Sequence, residues 1–412
     1  MPQPPKSPRP SNLLSIKESQ ARKERPMTGF GLWRLGFRPF YLGAALFSAI
    51  AMLLWLTTLT GITTLPTTGT LPAIIWHAHE MVFGFALAVI AGFLLTASNN
   101  WSGILPAAGL PLSILFLFWA AARALILQGE IALAATADMA FVILLTSLLF
   151  RVLWLAKLWK NFFILGLVVL MGALNAWFYR IALNDLPTSP LQPIELALLA
   201  ILQLLVVMGG RVIPMFTQNG VPGVTLWKPA TLAWLTPVST ALGIVGWVSL
   251  APRPAFALCA FAALINLVRW LGWKPWHSSR HPMVWVLQLG YFWIPVAFLG
   301  MGLESLGLVP RSLPIHTLAV GAMGLIIAGM ITRTAMGHTG RPIISSGYER
   351  AFFLLIAVSG LLRILAALPV MQGVLTNGLL HASGVAWILG VCIYLLRYTP
   401  WLCRPRLDGR PG

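Results

Sequence analysis

Residues 76–97 read WHAHEMVFGFALAVIAGFLLTA, an imidazole pair and a carboxylate at the mouth of an uncharged run from Met81 to Ala97. About 20 apolar residues carry a helix across a bilayer core. Working outward, runs of this kind fall near 40–60, 75–97, 107–128, 130–150, 162–183, 192–214, 229–249, 251–271, 282–303, 314–336, 350–370 and 374–396. Composition agrees. The 412 residues are 58% hydrophobic and 9% charged, with mean hydropathy +0.83, whereas soluble domains carry about 25% charged residues. The class is therefore an all-α polytopic membrane protein with twelve transmembrane helices.

The chain divides into a basic arm (1–27), a twelve-helix transmembrane domain (28–398) and a short basic tail (399–412). The arm has Lys6, Arg9, Lys17, Arg22, Lys23 and Arg25 but no apolar core, so it is expected to be disordered and is not a signal peptide. Gln128–Glu130 and Leu250–Pro252 are turns short enough to force antiparallel neighbours. Cys259, Cys392 and Cys403 are odd in number and imply no disulfide framework.

A formal charge of +18 would suit nucleic acid, but loop asymmetry accounts for it. With the amino terminus inside, all but Arg123, Arg180, Arg253, Arg311 and Arg363 of the 28 Lys and Arg residues lie on one side, and the loop 61–73 is uncharged. Basic residues resist translocation, which places both termini in the cytoplasm and leaves the lipid bilayer, not nucleic acid, as partner.

That orientation puts His77, His79, His316 and His381 at the outer ends of the second, tenth and twelfth helices, and His277, His281 and His338 on the cytoplasmic side. Ionisable groups inside a bilayer are costly and tend to mark sites, and neutral imidazole is the commonest metal ligand. The bland alternative is an interfacial anchor or a hydrogen-bonded core histidine. Residues two apart on a helix point about 200° apart, so His77 and His79 are expected to face different centres; an extended segment would let them share one ion. Glu80, three residues after His77, is placed to orient its imidazole, or is a simple interfacial carboxylate.

Gly92, Gly209 and Gly329, and Gly103, Gly220 and Gly340, recur with the same two separations, a period of four helices. The alignment matches His79 with His316 and suggests three pseudo-repeats of four helices. Shared glycines also arise from helix packing alone. On this basis a haem is expected between His79 and His316, with copper near His77 and His381. Arg363 and Arg311 would pair with the propionates or snorkel to the interface. Asp138 and Arg123 could form a midplane or structural pair. On the cytoplasmic side, Arg34, Arg38, Arg211, Arg333, Arg341 and His338 suit topology and anionic lipid contact. Pro214 and Pro342 are expected to stop their helices there, which would allow an anion or quinol site.

Trp33-Arg34-Leu35-Gly36-Phe37-Arg38-Pro39-Phe40, Trp76-His77-Ala78-His79-Glu80-Met81, Gly209-Gly210-Arg211-Val212-Ile213-Pro214-Met215-Phe216 and Gly337-His338-Thr339-Gly340-Arg341-Pro342 together resemble the NnrS family over nearly all the chain after the arm. The resemblance implies a bacterial inner-membrane protein containing haem and copper and associated with nitric oxide and nitrosative stress. It carries no ligand assignment. The architecture, with histidines on the second and tenth helices, also resembles the catalytic subunit of haem-copper oxidases, although paired copper-binding histidines on the seventh helix are missing. The alternative function is a twelve-span secondary transporter of a metal or small metabolite; a haem-based sensor ranks last, because both tails are short.

Overall fold

Within hydrocarbon each backbone N–H and C=O must find its partner in the chain, so isolated apolar runs become helices. The computed structural model describes residues 29–409 except 66–70, 105–106, 185–186 and 372. The arm 1–27 and the last three residues of the tail lie outside the described residues. Twelve helices follow in order: α1 Phe37–Leu59, α2 Ala73–Ser102, α3 Leu110–Leu127, α4 Ile131–Leu155, α5 Phe162–Asn184, α6 Leu191–Gly220, α7 Ala230–Ser249, α8 Pro252–Gly272, α9 Pro282–Ser305, α10 Ser312–His338, α11 Gly347–Leu365 and α12 Val374–Cys403. Among the described residues there is no strand.

Most ends fall within a few residues of the apolar runs, with two exceptions. Pro214 was expected to end α6; instead the helix continues through it to Gly220. Proline removes one helical N–H, a loss that neighbouring helices make good within a membrane bundle. α12 likewise runs beyond 396 to Cys403. Among the described residues eleven helices are long and apolar enough to span a membrane. The other, α11, carries Glu349, Arg350 and Arg363.

α11 starts with a capping box: Ser346 Oγ accepts from the Tyr348 N–H, and Glu349 Oε2 accepts from the Ser346 N–H at 2.7 Å. Tyr398 of α12 donates to Glu349 Oε1 at 3.0 Å, tying the cap to the neighbouring helix. Loss of an N-cap hydroxyl costs about 1 kcal/mol. Ser346→Ala is therefore expected to lower stability by that amount and to speed amide exchange in the first turn of α11. Unchanged exchange would show that Glu349 alone holds the turn.

α12 packs on both α11 and α1, closing the ring. Gly31 N–H donates to Cys403 O at 2.7 Å, and buried Arg38 donates to Leu402 O and Arg404 O, each at 2.8 Å. Both described chain ends therefore meet at one end of the bundle, called here the basic end. α2 is the most enclosed of these spanning helices, with nearly all of its apolar stretch buried, whereas α1 leaves most of its own at the surface. Leu46, Ile50 and Leu53 of α1 are among the large apolar side chains left exposed, as a lipid-facing surface requires.

α2 and α10 share a local feature. Each passes from α to π hydrogen bonding directly after a histidine, over Glu80–Ala86 after His79 and over Thr317–Gly324 after His316. A π turn frees a backbone carbonyl from the regular ladder and often lies at a functional position. Here Gly84 O accepts from Trp119 Nε1 of α3 at 2.8 Å.

Candidate metal centre at the far end of the bundle

Opposite the basic end, side chains of α1, α2, α10 and α11 form one group, and α12 brings His381 to the same end. The His77 ring stacks on Trp55 of α1, with centroids 4.6 Å apart and planes at 14°. Its Nδ1 is shut off from solvent without a hydrogen-bond partner. His316 Nδ1 lies 2.7 Å from Ser312 O, so that nitrogen carries the proton and Nε2 keeps its lone pair. Arg363 Nη2 donates to this Nε2 at 3.0 Å. The Arg363 guanidinium acts electrostatically on both His316 and His77. Close approach of α10 and α11 allows the contact: a Cβ on Gly360 would meet Gly321 Cα at 3.3 Å.

His381 repeats the His316 pattern. Its Nδ1 donates to Asn377 O at 2.7 Å, and its Nε2 is closed from solvent and unpartnered. It stands on α12 one turn before Gly384, which packs on Leu56, next to Trp55. Metal-binding histidines characteristically donate the other ring N–H to a carbonyl or carboxylate. His316 and His381 both meet that condition. No three His, Cys, Asp or Glu side chains among the described residues converge tightly enough to hold an ion on their own.

His79 belongs elsewhere. Fully buried, it stacks on Phe178 of α5 with centroids 4.2 Å apart. Its Nδ1 lies 2.9 Å from Glu80 Oε1 and its Nε2 2.9 Å from Asn175 Oδ1. Asn175 is oriented by donating to Asp138 at 3.2 Å. With an acceptor against each nitrogen, the ring turns no lone pair outward. Arg123 joins Glu80 at 2.7 Å and also pairs with Asp138, to which Tyr179 donates at 2.7 Å. Gly84 leaves the space in which Glu80 and Arg123 meet: a Cβ there would lie 3.0 Å from Glu80 Oε2.

The profile of the family described as NnrS protein matches residues 31–406. The chain belongs to the NnrS family. No curated protein matches it. NnrS membership supports a membrane protein connected with the nitric oxide response.

Within this NnrS chain the structure sorts the expected site residues. It gathers His77, His316 and Arg363, with His381 at the same end, and turns His77 and His79 towards different clusters. It leaves His79 no free ring nitrogen for a centre shared with His316: Glu80 and Asn175 engage both. A haem strung between those two rings does not fit these contacts. Glu80, expected to orient His77, serves His79. Arg311 is held by Glu195 at 2.6 Å and Glu304 at 3.4 Å and lies over Trp247, so carboxylates of the protein already balance its charge. The sequence reading missed Trp55, Asn175 and Tyr179. Asn175 and Tyr179 stand four residues apart, one polar face on an apolar span, and that spacing was the available signal.

Proposed function

We propose that this NnrS chain binds haem and copper in the response to nitric oxide, using imidazoles at the far end of its bundle. The observation that carries the reading is the matched state of His316 and His381, each with Nδ1–H on a backbone carbonyl and Nε2 unprotonated. His316 with His77 is the imidazole pair that would hold iron, and His381, its Nε2 open, would contribute to a copper site at the same end. When bound, such a metal supplies one-electron chemistry and a coordination position for nitric oxide.

The chain's own residues set the conditions. Ser312 and Asn377 carbonyls fix two tautomers, the Trp55 face orients His77, and Arg363 holds a positive charge beside His316. Charge asymmetry supports a cytoplasmic-membrane location with both termini inside. The internal repeat is proposed too, supported by π turns that follow His79 and His316 and contain the aligned glycines Gly84 and Gly321.

Iron, copper and the optical spectrum of protein purified after expression with haem precursor and copper test the reading. His316→Ala, His381→Ala and His77→Ala are each expected to lower metal affinity about tenfold or more, the scale set by altering the surroundings of a ligand. His79→Ala is expected to lose stability first. Metal content unchanged in the three far-end variants would overturn the assignment. A colourless, metal-free wild type would favour the transporter, for which the buried Glu80, Arg123 and Asp138 would be the intramembrane charges.

A further inference from the structure

At the basic end, remote from the far-end histidines, α2, α6 and α10 enclose a cavity of about 490 Å³. Its walls are apolar, with Phe93, Met208, Phe216 and Met330 among them, and Arg211, Arg333 and Arg406 also face it. It extends along α10 from Gly337 to Met330, about 10 Å at the helical rise per residue. This depth exceeds that of a surface charge cluster.

Among the described residues no Asp or Glu lines the cavity. Asp408 pairs with Arg406 at 2.6 Å. Among the described residues Arg211 donates to a neutral amide alone, Asn161 Oδ1 at 3.0 Å. Arg333, 8% exposed, donates to Met283 O at 3.0 Å and lies over the Phe216 ring at 3.9 Å, while its Nε is buried without a partner. Arg333, buried, and Arg211, exposed, therefore bring positive charge without a carboxylate partner among the described residues to an apolar slot, and the buried charge of Arg333 calls for a counter-charge.

We propose that this cavity seats an anionic phospholipid, its phosphate diester held by Arg211 and Arg333 and its glycerol and first acyl carbons lying against the Phe93, Met208 and Met330 walls. Phosphate is suited to guanidinium recognition. Basic pockets between membrane helices are established hosts for anionic headgroups. The apolar depth selects an amphiphile over a bare anion. The proposal is independent of the metal centre.

The test is thermal unfolding of the detergent-solubilised full chain titrated with dioctanoyl phosphatidylglycerol, dioctanoyl phosphatidylcholine or glycerol phosphate. Phosphatidylglycerol is expected to raise the midpoint saturably. Its half-saturating concentration is expected to rise about tenfold, the effect of losing one charge-assisted contact, in Arg333→Gln and in Arg211→Gln. Met330→Trp fills the slot without altering charge and should also abolish the effect; Lys228→Gln, a basic-end control outside the cavity, should leave it intact. Equal protection by phosphatidylcholine, equal protection by glycerol phosphate, or full protection of Met330→Trp would each overturn the proposal. So would an optical haem band that shifts in Met330→Trp, which would give the cavity to a porphyrin. If Arg333→Gln fails to fold, Arg211→Gln and Met330→Trp still decide.

Discussion

Replacing Arg123 by leucine is expected to destabilise the membrane domain by about 3–5 kcal/mol, the cost of breaking a buried ion pair from one side. Arg123 is the guanidinium between two enclosed carboxylates, Glu80 and Asp138. Without it, both face each other in a low-dielectric setting, supported only by His79, Asn175 and Tyr179. Neutralising all three charged positions together, as Glu80→Gln, Arg123→Leu and Asp138→Asn, should recover most of the loss, because most of the penalty comes from uncompensated charge and little from contact area. Tyr179→Phe removes one hydrogen bond and is expected to cost about 1–2 kcal/mol. Unfolding midpoints in detergent rank the four proteins. Arg123→Leu melting like the wild type would mean that the network adds no stability, and a triple variant as damaged as the single one would assign the effect to packing.

The spans were legible because the bilayer is a strict solvent: the apolar runs near 229–249 and 251–271 became α7, Ala230–Ser249, and α8, Pro252–Gly272. Where the physical constraint weakens, so does the reading. α6 and α12 continue past their apolar cores, beyond where hydropathy has anything to say, and Pro214 interrupts only one hydrogen bond within a packed helix. At the site, helical geometry was enough to separate His77 from His79. It was not enough to choose the partner of Glu80. The turn from His77 to Glu80 is regular, with the Glu80 N–H bonded to Trp76 O, but the buried guanidinium of Arg123 draws the Glu80 carboxylate to itself and to His79. Nor does any local pattern announce that Asn175, on the fifth helix, will meet His79. That contact depends on how distant helices pack, which a single sequence read by itself does not encode in a readable form.

Deleting Val82, inside the π turn of α2, should have the broadest consequence of any single change. A π turn holds one residue more than the α ladder accommodates. Removing it lets the helix close as a continuous α-helix and turns the segment before it by about 100° with a shift of about 1.5 Å. His79 would then leave Asn175 and Phe178, and His77 would leave Trp55, although every imidazole is still present. The expected result is a loss of stability at least as large as that of Arg123→Leu, together with loss of whatever metal the far end holds. Val82→Ala keeps the register and removes only buried methyl groups, at a cost nearer 1–3 kcal/mol, so it separates register from packing. If the deletion matched Val82→Ala in both unfolding midpoint and metal content, the π turn would be a local relaxation with no part in aiming the histidines. If the deletion alone collapsed both, the extra residue after His79 would be the element that sets the rotation at which His77 and His79 face their two clusters.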